Sequence, residues 1–276
     1  MIRFTKMHGI GNDFVIVNGL EERLDPETLP ALAREMSDRR FGVGSDGLIV
    51  LDRGPESVLR MRMWNPDGSE SEMCGNGVRC FARYAQDRGL ADQPRIPVET
   101  GAGRLVLEVL ADLRVQVDMG IARLTAAEIG MPGEGESKMI DEPVKMPDGS
   151  WLPGTAVSMG NPHLVLFVDD VDAIPLESWG PVLEHEDRFP KRVNVHFAQV
   201  ISKRHLRQRT WERGAGITLA CGTGACATGV AAHLTARTEP EVEIDLPGGR
   251  LAIAYHDDGR VLMTGPAEYV FEGEWR

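Results

Sequence analysis

Two nearly identical stretches, Cys74-Gly75-Asn76-Gly77 and Cys221-Gly222-Thr223-Gly224, lie in the two halves of this 276-residue chain. Their cysteines are 147 positions apart (221 − 74), and the same offset relates Asn65 to Glu212. Because several residues recur at one spacing, we interpret the sequence as a duplication. We therefore expect two matched halves, each of which presents one thiol.

Each cysteine stretch predicts the start of a helix. Apolar residues at positions 78, 81, 82 and 85, and again at 227, 230, 231 and 234, follow the spacing of an amphipathic helix. Most other apolar runs alternate or are continuous and end at turn signals, which is typical of mainly antiparallel strands. We therefore predict an α/β (α+β) fold in which each half wraps a sheet or barrel around one central helix.

Local signals predict two further segments. Asp25 precedes Pro26 and an acidic first turn, so a helix is predicted from this N-cap to about Ser37. The stretch from Ala122 to Gly154 is dense in proline and glycine and is predicted to be a connection or insertion. The boundary between the halves is expected near its start.

The composition limits the possible partners. With 42 acidic and 30 basic residues the formal net charge is −12, so the protein repels phosphate backbones and no nucleic-acid partner is expected. The N-terminal residues lead straight into polar Gly11-Asn12-Asp13, with no apolar stretch long enough for a signal peptide or a membrane span. We expect a cytoplasmic protein with no membrane partner.

The four cysteines are expected to be thiols, because four cysteines in a chain of this length do not form a disulfide framework in a reducing compartment. No C-x-x-C spacing occurs, so a metal site is not expected. Cys80 and Cys226 lie inside the predicted helices and miss the repeat by one, so we interpret them as buried apolar groups. Cys74 and Cys221 remain as the candidate functional thiols.

The position of these two thiols indicates a reaction class. A helix start favours the thiolate, and its backbone N–H groups, approached closely across glycine, can hold a carboxylate. If one sulfur is a thiolate and the other a thiol, the first removes a proton from a carbon and the second delivers one to the opposite face. The negative charge that develops on the carboxylate during proton removal is stabilised by backbone amides. No P-loop and no suitably placed G-x-G-x-x-G occurs, so no cofactor is expected.

Several stretches in fixed order carry a family resemblance: Lys6-Met7-His8-Gly9-Ile10-Gly11-Asn12-Asp13-Phe14, Trp64-Asn65-Pro66-Asp67-Gly68-Ser69, Met73-Cys74-Gly75-Asn76-Gly77-Val78-Arg79-Cys80, Gly160-Asn161-Pro162-His163, and Glu212-Arg213-Gly214-Ala215-Gly216 followed by Ala220-Cys221-Gly222-Thr223-Gly224-Ala225-Cys226-Ala227. Along essentially the whole chain, they closely resemble the diaminopimelate epimerase family. The resemblance implies a cofactor-independent interconversion of LL- and meso-2,6-diaminopimelate in lysine and cell-wall precursor synthesis.

The resemblance also implies the architecture. It predicts two pseudo-symmetric domains that face each other across a cleft holding the active site, commonly in a homodimer. The first domain would comprise residues 1–122 plus 265–276 and carry Cys74, because the C-terminus returns to it. The second would comprise residues 123–264 and carry Cys221.

Site residues follow from the resemblance position by position. Cys74 and Cys221 become the acid/base pair, and the reacting carboxylate is held by Asn12 and by amides around four residues: Gly75, Asn76, Gly222 and Thr223. The distal end of the substrate is assigned to Asn65, Asn161, Asn194 and Arg213, of which Arg213 is the natural bidentate partner of a second carboxylate. Glu212 and His163 match polar residues near the reacting centre, where they bind the ammonium group or tune the thiols.

One position departs from the family pattern. Gly47 stands where many members carry a glutamine, so a side-chain contact to the substrate is missing here or is supplied by another group.

Other functions stay open at this point. A proline racemase-like or hydroxyproline epimerase enzyme also uses two cysteines, but its first motif usually reads Cys-Gly-His-Gly, whereas Asn76 fills the histidine position here. A redox sensor that joins Cys74 and Cys221 in a reversible disulfide is a second alternative. A binding protein without catalysis is a third, although it has no need for both thiols.

Overall fold

The computed structural model describes residues 1–55 and 58–276. It divides into two compact units. The first unit comprises Met1–Asp118 together with Thr264–Arg276, and the second comprises Met119–Met263.

The first unit is mostly strand. Its elements are β1 (Ile2–Gly9), β2 (Asn12–Asn18), α1 (Leu29–Ser37), β3 (Gly47–Arg53), β4 (Leu59–Trp64), β5 (Glu70–Ser71), α2 (Gly75–Asp87), β6 (Arg95–Thr100), β7 (Gly103–Val109), β8 (Val115–Ile121) and the last strand of the chain, β18 (Glu268–Trp275). The strands pair in the order β18–β1–β2–β3–β4–β6–β7–β8. Only β2–β3 and β4–β6 are parallel in this series.

The second unit repeats this style. Its elements are α3 (Ala126–Ile129), β9 (Glu142–Lys145), β10 (Trp151–Ser158), β11 (Pro162–Phe167), α4 (Leu176–Leu183), β12 (Asn194–Ser202), β13 (His205–Glu212), β14 (Gly216–Ile217), α5 (Gly222–Leu234), β15 (Glu241–Leu246), β16 (Gly249–Tyr255) and β17 (Arg260–Gly265). The order β10–β11–β12–β13–β15–β16 alternates antiparallel and parallel pairs as β1–β2–β3–β4–β6–β7 does.

The helices α2 and α5 are the central helices of their units. Both begin directly after the motif cysteine, and Cys74 and Cys221 occupy the N-cap positions with extended backbone angles. Nearly every residue of α5 is buried, since it packs against β10, β11, β12, β15 and β16. The predicted α/β fold with one central helix per half is confirmed.

Two local predictions were wrong in part. The helix predicted to reach about Ser37 does end there, but its start was placed too early. Asp25 does not cap a helix: its side chain accepts a hydrogen bond from the backbone N–H of Glu27 and closes a turn, and α1 begins four residues later at Leu29. The chain between Ala122 and Gly154 is more regular than a connection, because it forms α3, β9 and the start of β10. The capping box between Thr125 and Glu128 is the local signal for α3.

Within the described ranges 1–55 and 58–276, no helix combines the length and the apolar character needed to span a membrane.

Candidate active site

Cys74 lies beside two asparagine side chains in the first unit. Its thiol is half-buried and donates to Oδ1 of Asn12 over 3.5 Å. The same oxygen accepts from Nδ2 of Asn76 at 3.1 Å. Two donors therefore converge on one amide oxygen, and Asn12 presents an acceptor to the sulfur.

The orientation of Asn12 is fixed by charged groups. Its Nδ2 donates to Oδ2 of Asp46 at 2.6 Å, so the carboxylate holds the amide nitrogen away from Cys74. Arg39 donates through Nη2 to Asp46 and to Asp13, at 2.7 Å in each case. The buried ammonium of Lys6 lies 2.6 Å from Oδ2 of Asp13. An alternating cluster of two cations and two carboxylates thus stands behind Asn12.

This cluster changes the acidity of Asp13. Burial raises the pKa of its carboxyl, but hydrogen bonds from Arg39 and Lys6 outweigh that effect and lower the pKa to about 2. Asp13 therefore stays ionised across the physiological range.

Asn76 is held from the opposite side by Arg79, which is fully buried in α2. Its Nη2 donates to Oδ1 of Asn76 at 2.9 Å, and its Nη1 donates to the carbonyl of Gly75 at 3.1 Å. A Cβ on Gly9 would lie 2.8 Å from Nη2 of Arg79, so the guanidinium occupies space that only glycine leaves. The first turn of α2 is therefore braced by a buried cation.

Asn65 and Gly47 take different places in the first unit. Asn65 lies in the turn between β4 and β5, where its Nδ2 donates to Oγ of Ser69 at 3.0 Å. Gly47 begins β3, and a Cβ there would lie 2.7 Å from the carbonyl oxygen of Trp64. The backbone at position 47 therefore excludes any side chain as placed, which accounts for glycine at this departure from the family pattern.

Cys221 in the second unit is more deeply buried than Cys74. Its sulfur lies 3.7 Å from Oγ1 of Thr223. Burial raises the pKa of Cys221 well above its usual value, the charge of Glu212 raises it further, and the hydrogen bond with Thr223 opposes both. The surroundings of Cys221 thus favour the thiol.

Glu212 ends β13 beside Cys221. Oγ1 of Thr218 donates to its Oε1 at 2.5 Å. Burial raises the pKa of Glu212, although the hydrogen bonds from Thr218 and Cys221 work in the other direction. A carboxylate with a raised pKa next to a thiol is a suitable acceptor for the thiol proton.

His163 and Asn161 extend this cluster. Asn161 donates through Nδ2 to Oγ1 of Thr223 at 3.4 Å, and its Oδ1 lies 2.9 Å from Nε2 of His163. Nδ1 of His163 lies 2.8 Å from Nε2 of His196. Burial lowers the pKa of His163 well below its ordinary value, with His196 and Arg213 adding to the effect. His163 is therefore a neutral imidazole.

Asn194 and Arg213 form a separate pair. Oδ1 of Asn194 accepts from the backbone N–H of Arg213 at 3.0 Å, and its Nδ2 donates to the carbonyl of Pro162 at 2.9 Å. Nη1 of Arg213 donates to the carbonyl of Lys191 at 2.9 Å. Asn194 thus fixes the backbone from which the guanidinium projects.

The predicted site residues fall into connected groups within each unit. Asn12, Cys74, Gly75 and Asn76 belong to one group, whereas Asn65 lies apart in its turn. In the second unit the connected residues are Asn161, His163, Glu212, Cys221, Gly222 and Thr223. Among the described residues, no cluster of histidine, cysteine or carboxylate side chains could hold a metal ion.

Sequence analysis did not predict three residues that contact these groups. Asp46 orients Asn12, Thr218 binds Glu212, and His196 binds His163. The register of β11 with β12 places His163 beside Asn194, but no local motif marks the partner at 196. Gly47 lies 147 positions before Asn194 (194 − 47), which is the offset of the repeat. Because Asp46 directly precedes Gly47, this repeat position was the sequence signal that could have indicated Asp46.

This fold of two units with one strand-pairing pattern is shared with a hydroxyproline epimerase from Agrobacterium vitis, with a TM-score of 0.64 and 14% identity over 99% of this chain and 91% of that chain. A phenazine biosynthesis protein of the PhzF family from Bacillus anthracis has the same fold, with a TM-score of 0.72 and 18% identity over 100% of this chain and 99% of that chain. The family model for diaminopimelate epimerase matches residues 4–125 and 155–270. The chain belongs to the diaminopimelate epimerase family.

Curated relatives agree with this assignment. The diaminopimelate epimerase of Moorella thermoacetica is 51% identical, and the alignment covers 99% of both chains. The diaminopimelate epimerase of Desulforudis audaxviator is also 51% identical over 99% of both chains. The resemblance expected from the sequence motifs is confirmed.

Proposed function

We propose that this protein is an isomerase that interconverts LL-2,6-diaminopimelate and meso-2,6-diaminopimelate, in the synthesis of lysine and peptidoglycan precursors. The observation that carries the proposal is the pair of cysteines at matched helix N-caps in a chain of this family. Helix N-termini bind carboxylates, and a thiol at each one supplies an acid and a base. No cofactor takes part in the proposed reaction.

In the proposed mechanism, Cys74 and Cys221 act on opposite faces of one α-carbon. The sulfur that is a thiolate removes the α-proton, and the sulfur that is a thiol protonates the other face, so the configuration inverts. The carboxylate on that carbon takes up the developing charge. Backbone N–H groups at Gly75, Asn76, Gly222 and Thr223, with help from Asn12, are proposed to stabilise it.

Glu212 has a proposed part in preparing Cys221. Burial and the charge of Glu212 raise the pKa of the Cys221 thiol, so it begins as an acid. When the reaction runs in the direction that needs Cys221 as base, its proton must leave first. The carboxylate of Glu212, which accepts a hydrogen bond from Cys221, is the neighbour that can take it.

The second amino-acid head of the substrate needs its own contacts. We assign the distal carboxylate to Arg213, because a guanidinium binds a carboxylate through two parallel hydrogen bonds. Asn65, Asn161 and Asn194 are proposed as further substrate contacts, and His163 as an accessory group beside Asn161. The pair formed by Asn194 and Arg213 supports this division, since Asn194 fixes the backbone of Arg213.

A homodimer and a cytoplasmic location are proposed on the family resemblance, since the chain aligns over nearly its whole length with biosynthetic epimerases. Sedimentation of the purified protein tests the first proposal. A single species with the mass of one 30.3 kDa chain would contradict it.

The experiment that tests the reaction incubates reduced protein with LL-diaminopimelate in deuterated water. We expect α-deuterium incorporation together with formation of the meso isomer. Proline and trans-4-hydroxyproline are the control substrates, and we expect neither to exchange. Exchange of proline but not of diaminopimelate would replace the proposal with the racemase alternative.

A further inference from the structure

A chain of uncharged side chains in the second unit ends at Cys221. We call the residues Gln208, Thr210, His196, His163, Asn161 and Thr223 the His196 network. Its first four members are buried, and the proposed mechanism uses none of Gln208, Thr210 and His196. Burial lowers the pKa of His196 to about 3, so both imidazoles of the network are neutral. Each ring therefore has one nitrogen that donates and one that accepts.

The direction of the hydrogen bonds follows from Asn161. Its Oδ1 can only accept, so Nε2 of His163 must carry the ring proton in their 2.9 Å contact. Nδ1 of His163 then has no proton and accepts from Nε2 of His196 at 2.8 Å. The His196 ring is thereby fixed in the same tautomer, with Nδ1 as its acceptor.

The far end of the network supplies matching donors. Nδ1 of His196 accepts from Oγ1 of Thr210 at 2.9 Å and from Nε2 of Gln208 at 3.2 Å. Nε2 of Gln208 also donates to Oγ1 of Thr210 at 2.9 Å. The two acceptors are themselves 2.9 Å apart, closer than the two divergent N–H bonds of one amide allow, so a single N–H of Gln208 is shared between them.

The near end of the network meets the sulfur. Because Oδ1 of Asn161 faces His163, its Nδ2 faces Thr223 and donates to Oγ1 at 3.4 Å. The hydroxyl oxygen of Thr223 is thus an acceptor toward Asn161. Its proton remains to be donated to Sγ of Cys221, 3.7 Å away.

The opposite direction would satisfy fewer buried groups. If both amides and both tautomers were reversed, the carbonyl of Gln208 would accept from Thr210 and His196. Its two N–H groups would then occupy the place of Oε1, which is buried and has no hydrogen-bond partner. The reversed direction would leave both N–H groups of Gln208 without a partner, whereas the observed direction keeps one of them bonded. An orphaned N–H costs more than an orphaned carbonyl oxygen, so the observed direction is the more stable one.

The position of the His196 ring is also tied to the helix that Cys221 caps. A Cβ on Gly224 would lie 2.2 Å from Cε1 of His196. The imidazole therefore packs directly against the first turn of α5.

We propose that His196 is a positioning residue for Cys221: it keeps His163 in the tautomer that turns the Asn161 amide, so that the Thr223 hydroxyl donates to the sulfur. The proposal rests on the proposed role of Cys221 as an acid/base group. A donor aimed at the sulfur stabilises the thiolate and opposes the effects of burial and of Glu212.

The first experiment reads the tautomers directly. The full-length reduced protein is labelled with ¹⁵N-histidine, and ring nitrogens are observed by long-range proton–nitrogen correlation at neutral pH without substrate. His196→Gln and His163→Gln assign the two signals among the seven histidines. We expect both rings to be neutral with the proton on Nε2. A proton on Nδ1 of either ring would overturn the proposal.

The second experiment measures the reactivity of the Cys221 sulfur. His196→Leu removes the donor to His163, whereas His196→Gln places an amide N–H near the former Nε2 and should restore it. Iodoacetamide labelling of Cys221 at pH 8 is followed by peptide mass spectrometry, with Cys74 in the same sample as internal control. We expect His196→Leu to slow labelling of Cys221 about tenfold, which is the loss of one hydrogen bond to a charged group. His196→Gln and the rate at Cys74 should stay near wild type.

Equal labelling of Cys221 in both variants would contradict the proposal. Circular dichroism verifies that each variant is folded, and the tautomer measurement on the unchanged protein remains decisive if one is not. Neither readout uses the substrate, so failure of the proposed epimerisation would be seen separately in the deuterium experiment.

Discussion

The two cysteine sites share a backbone and differ in the groups behind it. In the first unit Cys74 faces an acceptor, Oδ1 of Asn12, which is oriented by the charged cluster of Asp46, Arg39, Asp13 and Lys6. In the second unit Cys221 faces the hydroxyl of Thr223, which is oriented by the neutral His196 network. Charged groups therefore orient the side chain that contacts Cys74, whereas neutral imidazoles orient the side chain that contacts Cys221.

This difference shows which part of the duplication the chemistry constrains. The helix N-cap and its glycines recur at the 147-residue offset, as expected if both caps take part in the proposed binding of a carboxylate by backbone N–H groups. The side chains behind the two caps do not recur at that offset, since those behind Cys74 are charged and those behind Cys221 are neutral.

The largest expected effect comes from removing either thiol. Cys74→Ala and Cys221→Ala should each lower the epimerisation rate by about 10³-fold or more, since inversion needs an acid on one face and a base on the other. Rates are measured by formation of the meso isomer.

Cys80→Ala is the matched control within α2. Cys80 lies fully buried inside α2, six residues after the N-cap, so we expect it to take no part in the proposed proton transfer and the rate to change little. A thiol-to-alanine change at Cys74 or Cys221 that left substantial activity would remove the two-base scheme.

A second prediction separates the glycines of the two caps. Gly224→Ala should lower the free energy of unfolding by about 1–3 kcal/mol, because its Cβ would overlap the His196 ring. At the matching position, a Cβ on Gly77 would lie 3.0 and 3.4 Å from the flexible ends of Ile49 and Met61 and 3.5 Å from Cβ of Cys74, so Gly77→Ala should cost much less than Gly224→Ala. Urea titration measures both.

The cause of the Gly224 effect can be isolated with His196→Ala. In that background the added methyl group has space, and Gly224→Ala should cost little. An unchanged cost would show that the ring is not what the methyl group meets.

A third prediction concerns acid. His196 has a pKa of about 3 when folded and an ordinary value near 6.5 when unfolded, so the unfolded chain binds the proton more readily. Stability is full above pH 6.5 and falls as the pH drops toward 3, with a loss of about 2 kcal/mol from His196 at pH 5. Asp13, with a folded pKa of about 2, loses its contribution only between about pH 4 and 2.

The second unit should therefore loosen at a higher pH than the first. Pulse hydrogen exchange at pH 7 and pH 5, read by mass spectrometry, should show more exchange at pH 5 in peptides from β11–β13 than in peptides from β1–β3. His196→Gln should reduce that difference. Equal acid response in the two sets of peptides would contradict the prediction.

The smallest effect is expected at Asp46. Asp46→Ala removes the acceptor that holds Nδ2 of Asn12, and the rate should fall about fivefold, which corresponds to roughly 1 kcal/mol for one hydrogen bond to a charged group partly exposed to solvent. Added salt should lower the epimerisation rate of the wild-type protein slightly and leave the rate of Asp46→Ala unchanged. His196→Leu should keep the salt dependence of the wild-type rate, because it leaves the charged cluster behind Asn12 unchanged.

The sequence alone was sufficient to predict the elements that repeat and the family membership. The helical spacing after Cys74 and Cys221 predicted α2 and α5, and the motifs predicted the confirmed family membership. It failed for α4, which follows Pro175 and contains Pro181 and therefore carries no strong local helix signal. Asp25 was misread because an Asx turn and an N-cap use the same side-chain acceptor.

Within the site, the sequence indicated residues inside motifs but not their supports. His196 meets His163 only because β11 and β12 pair in parallel, and Asp46 meets Asn12 across 34 positions of the chain. Both contacts depend on tertiary register, which no local pattern encodes. The roles of the site residues remain predictions that the variants above test.

The pairing of β1 with β18 also sets an order of events during synthesis. Every residue of the second unit, Met119–Met263, is made before the segment Thr264–Arg276 that completes the first. Until that segment leaves the ribosome, the edge of β1 from Ile2 to His8 lacks its partner strand, and Arg79 lacks the carbonyl of Pro266. The half translated first is therefore the half finished last, and an incomplete chain exposes an open sheet edge.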